Sequence, residues 1–299
     1  MPINNIVSQG AIALPKLAEL AVGQLYRSLG FIQNTFVWRT TAAVQNGGTW
    51  NIPVLGTFGS NVRAPGDSVV QQSPVPTVRS INIIERESTF PVDPTWEDSE
   101  SGTNYILQYL TNAVNAVARD VTRDLLSILA QEPGVSFTGT LGATLVKADF
   151  DSARKILTDN ELPEDNRYAI LSTDQMSNLV NIPEFSRVDA NGIPGVFSDG
   201  VVRRVAGFAA LETPYVYSPL AGQHIGLAVH APSVYSVFPM QGSFNKGSAE
   251  KSETELDGIR IALLREYLPG YNGAYQITVS SRFGFRLGRQ EALVHLRGI

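Results

Sequence analysis

Three histidines, His224, His230 and His295, are the residues of this 299-residue chain that could serve as metal ligands or general bases near neutral pH. None lies in an H-E-x-x-H or H-x-H pattern, and their apolar surroundings read as ordinary strand histidines. Cysteine is absent, which removes disulfides, zinc–thiolate sites, iron–sulfur clusters and cysteine nucleophiles. The patterns G-x-x-x-x-G-K-[ST], G-x-G-x-x-G and G-x-S-x-G do not occur. Asp93, Glu97 and Asp98 are close enough in sequence to pair as general acid and base, but the sequence supplies no partner for them. An acid-site hydrolase is the remote alternative. Asp149 and Asp151 read as first-turn helix acids, where they favour the helix dipole. The sequence offers no catalytic residue, no metal ligand set and no cofactor.

The charges point to interfaces instead. Residues 85–100 hold Glu85, Glu87, Asp93, Glu97, Asp98 and Glu100 against Arg86 alone, a local net of −5. Residues 257–299 hold six arginines, among them Arg282 and Arg286, against three acids, a net of +3. These are either two solvated faces or complementary patches that meet between copies. Arginine outnumbers lysine 18 to 5, and its weakly hydrated, bidentate guanidinium suits buried interfaces. The overall charge of −5 argues against a dedicated nucleic-acid binder. No apolar run is long enough to span a membrane as a helix, and residues 1–10 lack the cationic region of a secretion signal.

At 43% hydrophobic and 17% charged residues, the chain can bury a core, as one large domain or two. Leu14, Leu17, Ala21 and Leu25 predict a short helix with Pro15 in its first turn and Gly30 as its stop. Trp50, Ile52 and Val54 alternate on one face of a strand over 49–56, with Pro53 implying an edge. A second strand follows over 78–90. Together they form a two-stranded arm, which is marginal alone and must lie on something. Ile106, Leu110, Ala113, Val117, Val121, Leu125 and Ile128 predict one uninterrupted helix over 105–131, with Arg119, Asp120, Arg123 and Asp124 as a charged band and Asp120–Arg123 as an i,i+3 pair. Residues 150–157 give another helix, 168–171 a buried strand, and Ser172 with Gln175 a capping box. Residues 188–200 and 242–257 read as polar loops, and 201–216 returns to strand character. The sharpest strand is 275–287: Tyr275, Ile277, Val279, Phe283, Phe285 and Leu287 are odd, and Gln276, Thr278, Ser280, Arg282 and Arg286 are even. Ala292, Val294 and Leu296 share one face of a last strand.

This order of elements resembles the major capsid proteins of tailed bacteriophages. Four stretches carry the likeness: Asn46 to Pro53, at the start of the extended loop; Arg154 to Leu171, as helix, proline turn and strand; Gly200 to Phe208, as a hairpin entry; and Ala228 to Val234, as a returning strand. The resemblance implies an α+β tailed-phage capsid fold. Its parts would be an N-terminal arm with a short helix (1–46), an extended β-hairpin loop (47–91), a peripheral domain with the spine helix (92–135), a mixed α/β axial domain (136–227), and peripheral C-terminal strands (228–299). It also implies a shell of pentamers and hexamers enclosing double-stranded DNA without reading it, in a virion assembled in the bacterial cytoplasm. The implied partners are the chain itself, a scaffolding protein, a portal at one vertex and, in some members, a decoration or cement protein. Since the arm pattern begins by Gly47, a fused scaffold-like leader is not expected and the scaffold should be a separate protein. The inter-subunit contact candidates are Trp50, Ile52, Val54, Glu85, Glu87, Asp93, Glu97, Asp98, Arg119, Arg123, Arg282 and Arg286. Some members cross-link a loop lysine to a neighbour's asparagine; here no lysine lies between Lys16 and Lys147, so no cross-link is expected. Encapsulins, shells that hold a cargo enzyme, share the fold and are the alternative.

Overall fold

The computed structural model describes residues 13–30, 32, 38–40, 49–54, 77–96, 100–182, 204–239, 249–268 and 274–299. The first helix, α1 (Leu14–Ser28), carries proline in its first turn and buries Leu14, Leu17, Ala21 and Leu25. The spine helix, α2 (Glu100–Ala130), has 31 residues, about 46 Å at 1.5 Å per residue. Ile106, Leu110, Val117, Val121 and Leu125 are buried along it, each worth about 1.5–3 kcal/mol. Ile128, at the end of the expected stripe, is half-buried.

The first sheet runs in the order β1 (Trp38–Thr40), β10 (Val234–Val237), β13 (Tyr275–Leu287), β12 (Ile259–Tyr267), β11 (Ala249–Leu256), and β4 (Ile84–Val92) also pairs with β13. β4 occupies β13 from Tyr275 to Phe283, and β10 takes over from Gly284 to Leu287. The odd apolar residues of β13 lie in the core with α1 and the spine, as the alternation requires. β11 corrects the expected loop over 242–257: residues 249–256 pair with β12 throughout. Asp257 and Gly258, with φ of 48° and 78°, form the two-residue turn that favours positive φ at both positions and fixes that register. β11 escapes periodicity because it is polar on both faces, at the edge of the sheet.

The second sheet runs β5 (Ser136–Gly139), β14 (Leu293–Gly298), β9 (His224–His230), β6 (Arg167–Leu171), β8 (Phe208–Glu212), β7 (Arg204–Val205). Helices α3 (Lys147–Asp159) and α4 (Thr173–Val180) cover one face, burying Phe150, Leu157, Met176 and Leu179 against Ala169, Val294 and Leu296. The opposite face contributes Ile170, Leu227, Val229 and Leu293 to the core of the spine helix. Two expected boundaries therefore shift. β9 continues past 227, and the C-terminal strand, expected among the peripheral strands of 228–299, pairs inside the sheet of the middle segment. The physical reason is that β14 is buried on both faces, which a central strand requires and a peripheral edge does not. The Ser172–Gln175 capping box forms as expected, and the buried Gln175 amide also donates to the carbonyls of His224 (3.3 Å) and Leu296 (3.4 Å).

The arm is a separate two-stranded sheet, β2 (Thr49–Val54) with β3 (Thr77–Asn82). Pro53 lies on an edge as expected, because among the described residues β2 pairs with β3 alone. The expected second strand over 78–90 is two strands that part at Ile83, so 84–92 belongs to the first sheet and the arm is shorter than 47–91.

Candidate assembly surfaces

The arm's base is a small buried cluster. Ile81 and Val237 are buried, with Ile83 and Tyr235 packed against them. Gly284 lies under this cluster: a Cβ there would meet Ile81 Cγ2 at 2.4 Å and the Asn82 carbonyl oxygen at 2.8 Å. The antiparallel register puts Trp50 opposite Ile81, Ile52 opposite Arg79 and Val54 opposite Thr77, so the three apolar candidates share one face of the ribbon.

The charged candidates are largely engaged within the chain. Glu85 lies beside Arg282 across β4 and β13, and Arg282 Nε donates to Glu85 Oε2 at 2.9 Å. Arg86 binds Asp124 of the spine helix through two hydrogen bonds of 2.7 and 2.8 Å, which raises its pKa. Arg286 approaches the buried Glu132 at 3.2 Å, at the C-terminal end of the spine. Asp120 pairs with Arg119 (3.3 Å) rather than with Arg123, which has no ion pair among those found in the described residues. The contrast between an acidic 85–100 and a basic C-terminal segment is thus partly closed inside one subunit, where pairing across β4 and β13 brings them together. Glu87 lies exposed on β4, opposite Ser280.

Asp93 has a local task. Its carboxylate accepts from the backbone N–H (2.9 Å) and hydroxyl (2.7 Å) of Thr95, which lowers its pKa and starts the 3-10 turn Pro94–Trp96. Glu97 and Asp98 lie outside the described residues. Among the described residues no three His, Asp or Glu side chains are grouped to hold a metal ion. The histidines have structural partners. His295 Nε2 donates to the Leu129 carbonyl of the spine at 3.0 Å, His230 Nδ1 lies 3.2 Å from Ser233 Oγ, and His224 Nε2 lies 3.1 Å from Asp174. Burial lowers the pKa of His295, and burial followed by the nearby Arg167 charge lowers that of His230.

Sequence reasoning missed an aromatic stack at the start of the spine. Trp96 and Tyr109 lie parallel, 5.8 Å apart with 4° between their planes, and Tyr109 stacks on Phe90 at 5.9 Å. Tyr105 tilts against Trp96 at 6.1 Å. Tyr105 is 54% and Tyr109 46% exposed. The sequence signal was the i,i+4 spacing of the two tyrosines on the polar side of the stripe, with a tryptophan just upstream. A groove of about 430 Å³ lies between α1 and the spine, lined by Leu20, Gly23, Arg27, Leu107 and Leu110 among others.

This architecture has known counterparts. Residues 105–224 match the family model described as phage capsid protein. No curated protein sequence matches the chain. The capsid of Cyanophage P-SCSP1u superposes with a TM-score of 0.59 at 18% identity, over 88% of this chain and 86% of that one. A structure from Mycobacterium phage Che8 gives 0.56 at 16% identity, over 84% and 85%. A virus-like particle from Pyrococcus furiosus gives 0.56 at 12% identity, over 94% and 97%. The tailed-phage capsid fold expected from the sequence is the fold observed. The chain thus has the fold of these phage capsid and virus-like particle shells, and its middle segment, residues 105–224, is similar to the phage capsid family.

Proposed function

We propose that this chain self-assembles into pentamers and hexamers of an icosahedral capsid that encloses double-stranded phage DNA. The observation that carries this is the arm. Among the described residues β2 pairs with β3 alone, and a two-stranded ribbon is marginal in water. A ribbon of this kind gains stability by laying its apolar face, with Trp50, Ile52 and Val54, over a neighbouring subunit. On this reading the first sheet and spine form the peripheral domain, and the second sheet with α3 and α4 forms most of the axial domain. Many modest interfaces, closed by symmetry, then give a shell of high avidity. The overall charge of −5 fits a container that holds DNA without trapping it. Assembly in the host cytoplasm would use a separate scaffolding protein and a portal at one vertex. A decoration protein would sit on the finished virion.

The fold match to a virus-like particle, which covers 94% of this chain and 97% of that one, supports a second reading: a nanocompartment of the encapsulin type, holding a protein cargo. Purified particles distinguish the two. Nuclease-protected double-stranded DNA in the particles is the outcome expected here. A stoichiometric enzyme in place of DNA would overturn it in favour of the nanocompartment. Catalytic turnover at Asp93 is not expected, and an Asp93→Asn variant that abolished a measured hydrolysis while still assembling would revive the acid-site alternative.

A further inference from the structure

β11 ends the order of the first sheet, so among the described residues no strand pairs on its outer side. The outer edge of such a strand presents backbone N–H and C=O groups to other chains. Which residues present them follows from the turn. Leu256 and Ile259 flank the two-residue turn of Asp257 and Gly258, and the pair that flanks such a turn exchanges hydrogen bonds across it. Hydrogen-bonded and non-hydrogen-bonded pairs alternate along an antiparallel ladder. Leu256, Thr254, Ser252 and Glu250 therefore direct their backbone groups at β12, and Glu255, Glu253, Lys251 and Ala249 direct theirs outward.

Side-chain charge then selects the partner. Charged residues ordinarily blunt a sheet edge; here their order is self-complementary. A second β11 laid antiparallel pairs outward residues with outward residues, so its register shifts in steps of two. Three registers keep both Lys251 and Glu253 opposite residues of the other β11. One puts Lys251 against Lys251 and another puts Glu253 against Glu253, and like charges directly opposite are destabilising. The third sets Lys251 against Glu253 and Glu253 against Lys251, with Ala249 opposite Glu255, Glu250 opposite Thr254 and Ser252 opposite itself. No like charges face each other in it. Lys251 Nζ already lies 3.5 Å from Glu253 Oε2 of its own strand, and the second copy turns that pair into a cluster of two lysines and two glutamates of alternating sign.

We propose that β11 pairs antiparallel with β11 of a second copy, about a two-fold axis at Ser252. Residues 249–255 then face their counterparts, and each facing pair of outward residues exchanges two hydrogen bonds. The first sheets of two subunits become one continuous sheet. The contact is isologous, with the same residues on both sides, so it closes at two subunits. It goes beyond the shell reading, to which it adds a two-fold contact between neighbours, and it stands or falls separately from it.

The absence of cysteine makes the test direct. In this register Ser252 faces its counterpart as a non-hydrogen-bonded pair, whose Cα atoms lie about 4.5 Å apart, within disulfide range. Full-length Ser252→Cys, as free subunits or particles, treated with copper–phenanthroline, denatured and run without reductant, should be mostly dimer and collapse to monomer on reduction. Glu250→Cys is the control for register. Residue 250 faces Thr254, and its two copies lie four residue steps apart, about 14 Å, so it should yield at least tenfold less dimer. Monomer from Ser252→Cys, or equal dimer from both variants, overturns the proposal. A second measurement needs no thiol. Lys251→Glu and Glu253→Lys each set like charges opposite one another and should each lower self-association at least tenfold in sedimentation at low ionic strength. Mixed one to one, they bring opposite charges together again and should recover the association of the unsubstituted chain. A role within one chain is not rescued by mixing, so a mixture no more associated than its components overturns the proposal. Particles without the Ser252→Cys cross-link refute this inference alone, and the cross-link in a chain that forms no particles supports it while refuting the shell reading.

Discussion

Gly284→Ala tests whether the placement of the arm controls assembly. The added methyl group would lie 2.4 Å from Ile81 Cγ2 and 2.8 Å from the backbone oxygen of Asn82. Ile81 is fully buried against Val237, so its side chain has little room to swing aside, and the Asn82 oxygen is backbone and cannot. The strand leading to the arm must move by several tenths of an ångström or more. Overpacking of this kind costs about 1–3 kcal/mol. A domain of ordinary stability, about 5–15 kcal/mol, survives that loss. The subunit should therefore stay folded, with a urea midpoint lowered accordingly, while light scattering shows slower or incomplete assembly. Gly23→Ala is the control. Its Cβ meets nothing within 4 Å in the middle of α1, and replacing a helical glycine by alanine should stabilise by about 0.5–1 kcal/mol. If Gly284→Ala matches Gly23→Ala in both stability and assembly, the close approach at the arm's base does not govern the shell.

Trp50→Ser with Val54→Ser should leave a folded subunit that assembles poorly, read by circular dichroism and sedimentation, since the pair lies on the apolar face of the ribbon. Val117→Asp puts an unpaired charge at a position 2% exposed and should abolish soluble expression; expression at the normal level would refute its burial. His230 and His295 have lowered pKa values in the folded chain, so below about pH 6.5 the unfolded chain binds more protons. Stability should be full above that pH and decline as pH falls below it, and His295→Gln should flatten the dependence of the urea midpoint on pH. Boiled, denatured particles should run as one band at monomer mass, because no arm lysine is available for cross-linking; multimers that survive denaturant and reductant would contradict this.

The elements legible in the sequence are those specified locally. The spine follows from an unbroken three-and-four spacing, β13 from strict alternation, and α4 from its capping box. What stayed hidden depends on distant partners. β11 has no apolar face of its own and is held by its pairing with β12 and the turn at Asp257 and Gly258. The break at Ile83 arises because β10 takes over the edge of β13 at Gly284, leaving β3 no partner there. The parallel strand β1 consists of three residues and is recognisable only from its register with β10. Among the candidate contact residues, the sequence marked residues 85–100 as acidic and residues 257–299 as basic. It did not show that Glu85 meets Arg282 and Arg286 meets Glu132 within one subunit, since those pairs are 197 and 154 residues apart. The aromatic stack was missed because Tyr105 and Tyr109 lie off the apolar stripe.

The most direct measurement is a cryo-electron microscopy reconstruction of the purified, unsubstituted protein. The expected result is a closed icosahedral particle with five- and six-membered clusters of subunits, in which the β2–β3 ribbon of each subunit lies on its neighbour. A monodisperse monomer at every concentration, or particles whose ribbons fold back on their own subunits, would contradict the shell reading at its centre.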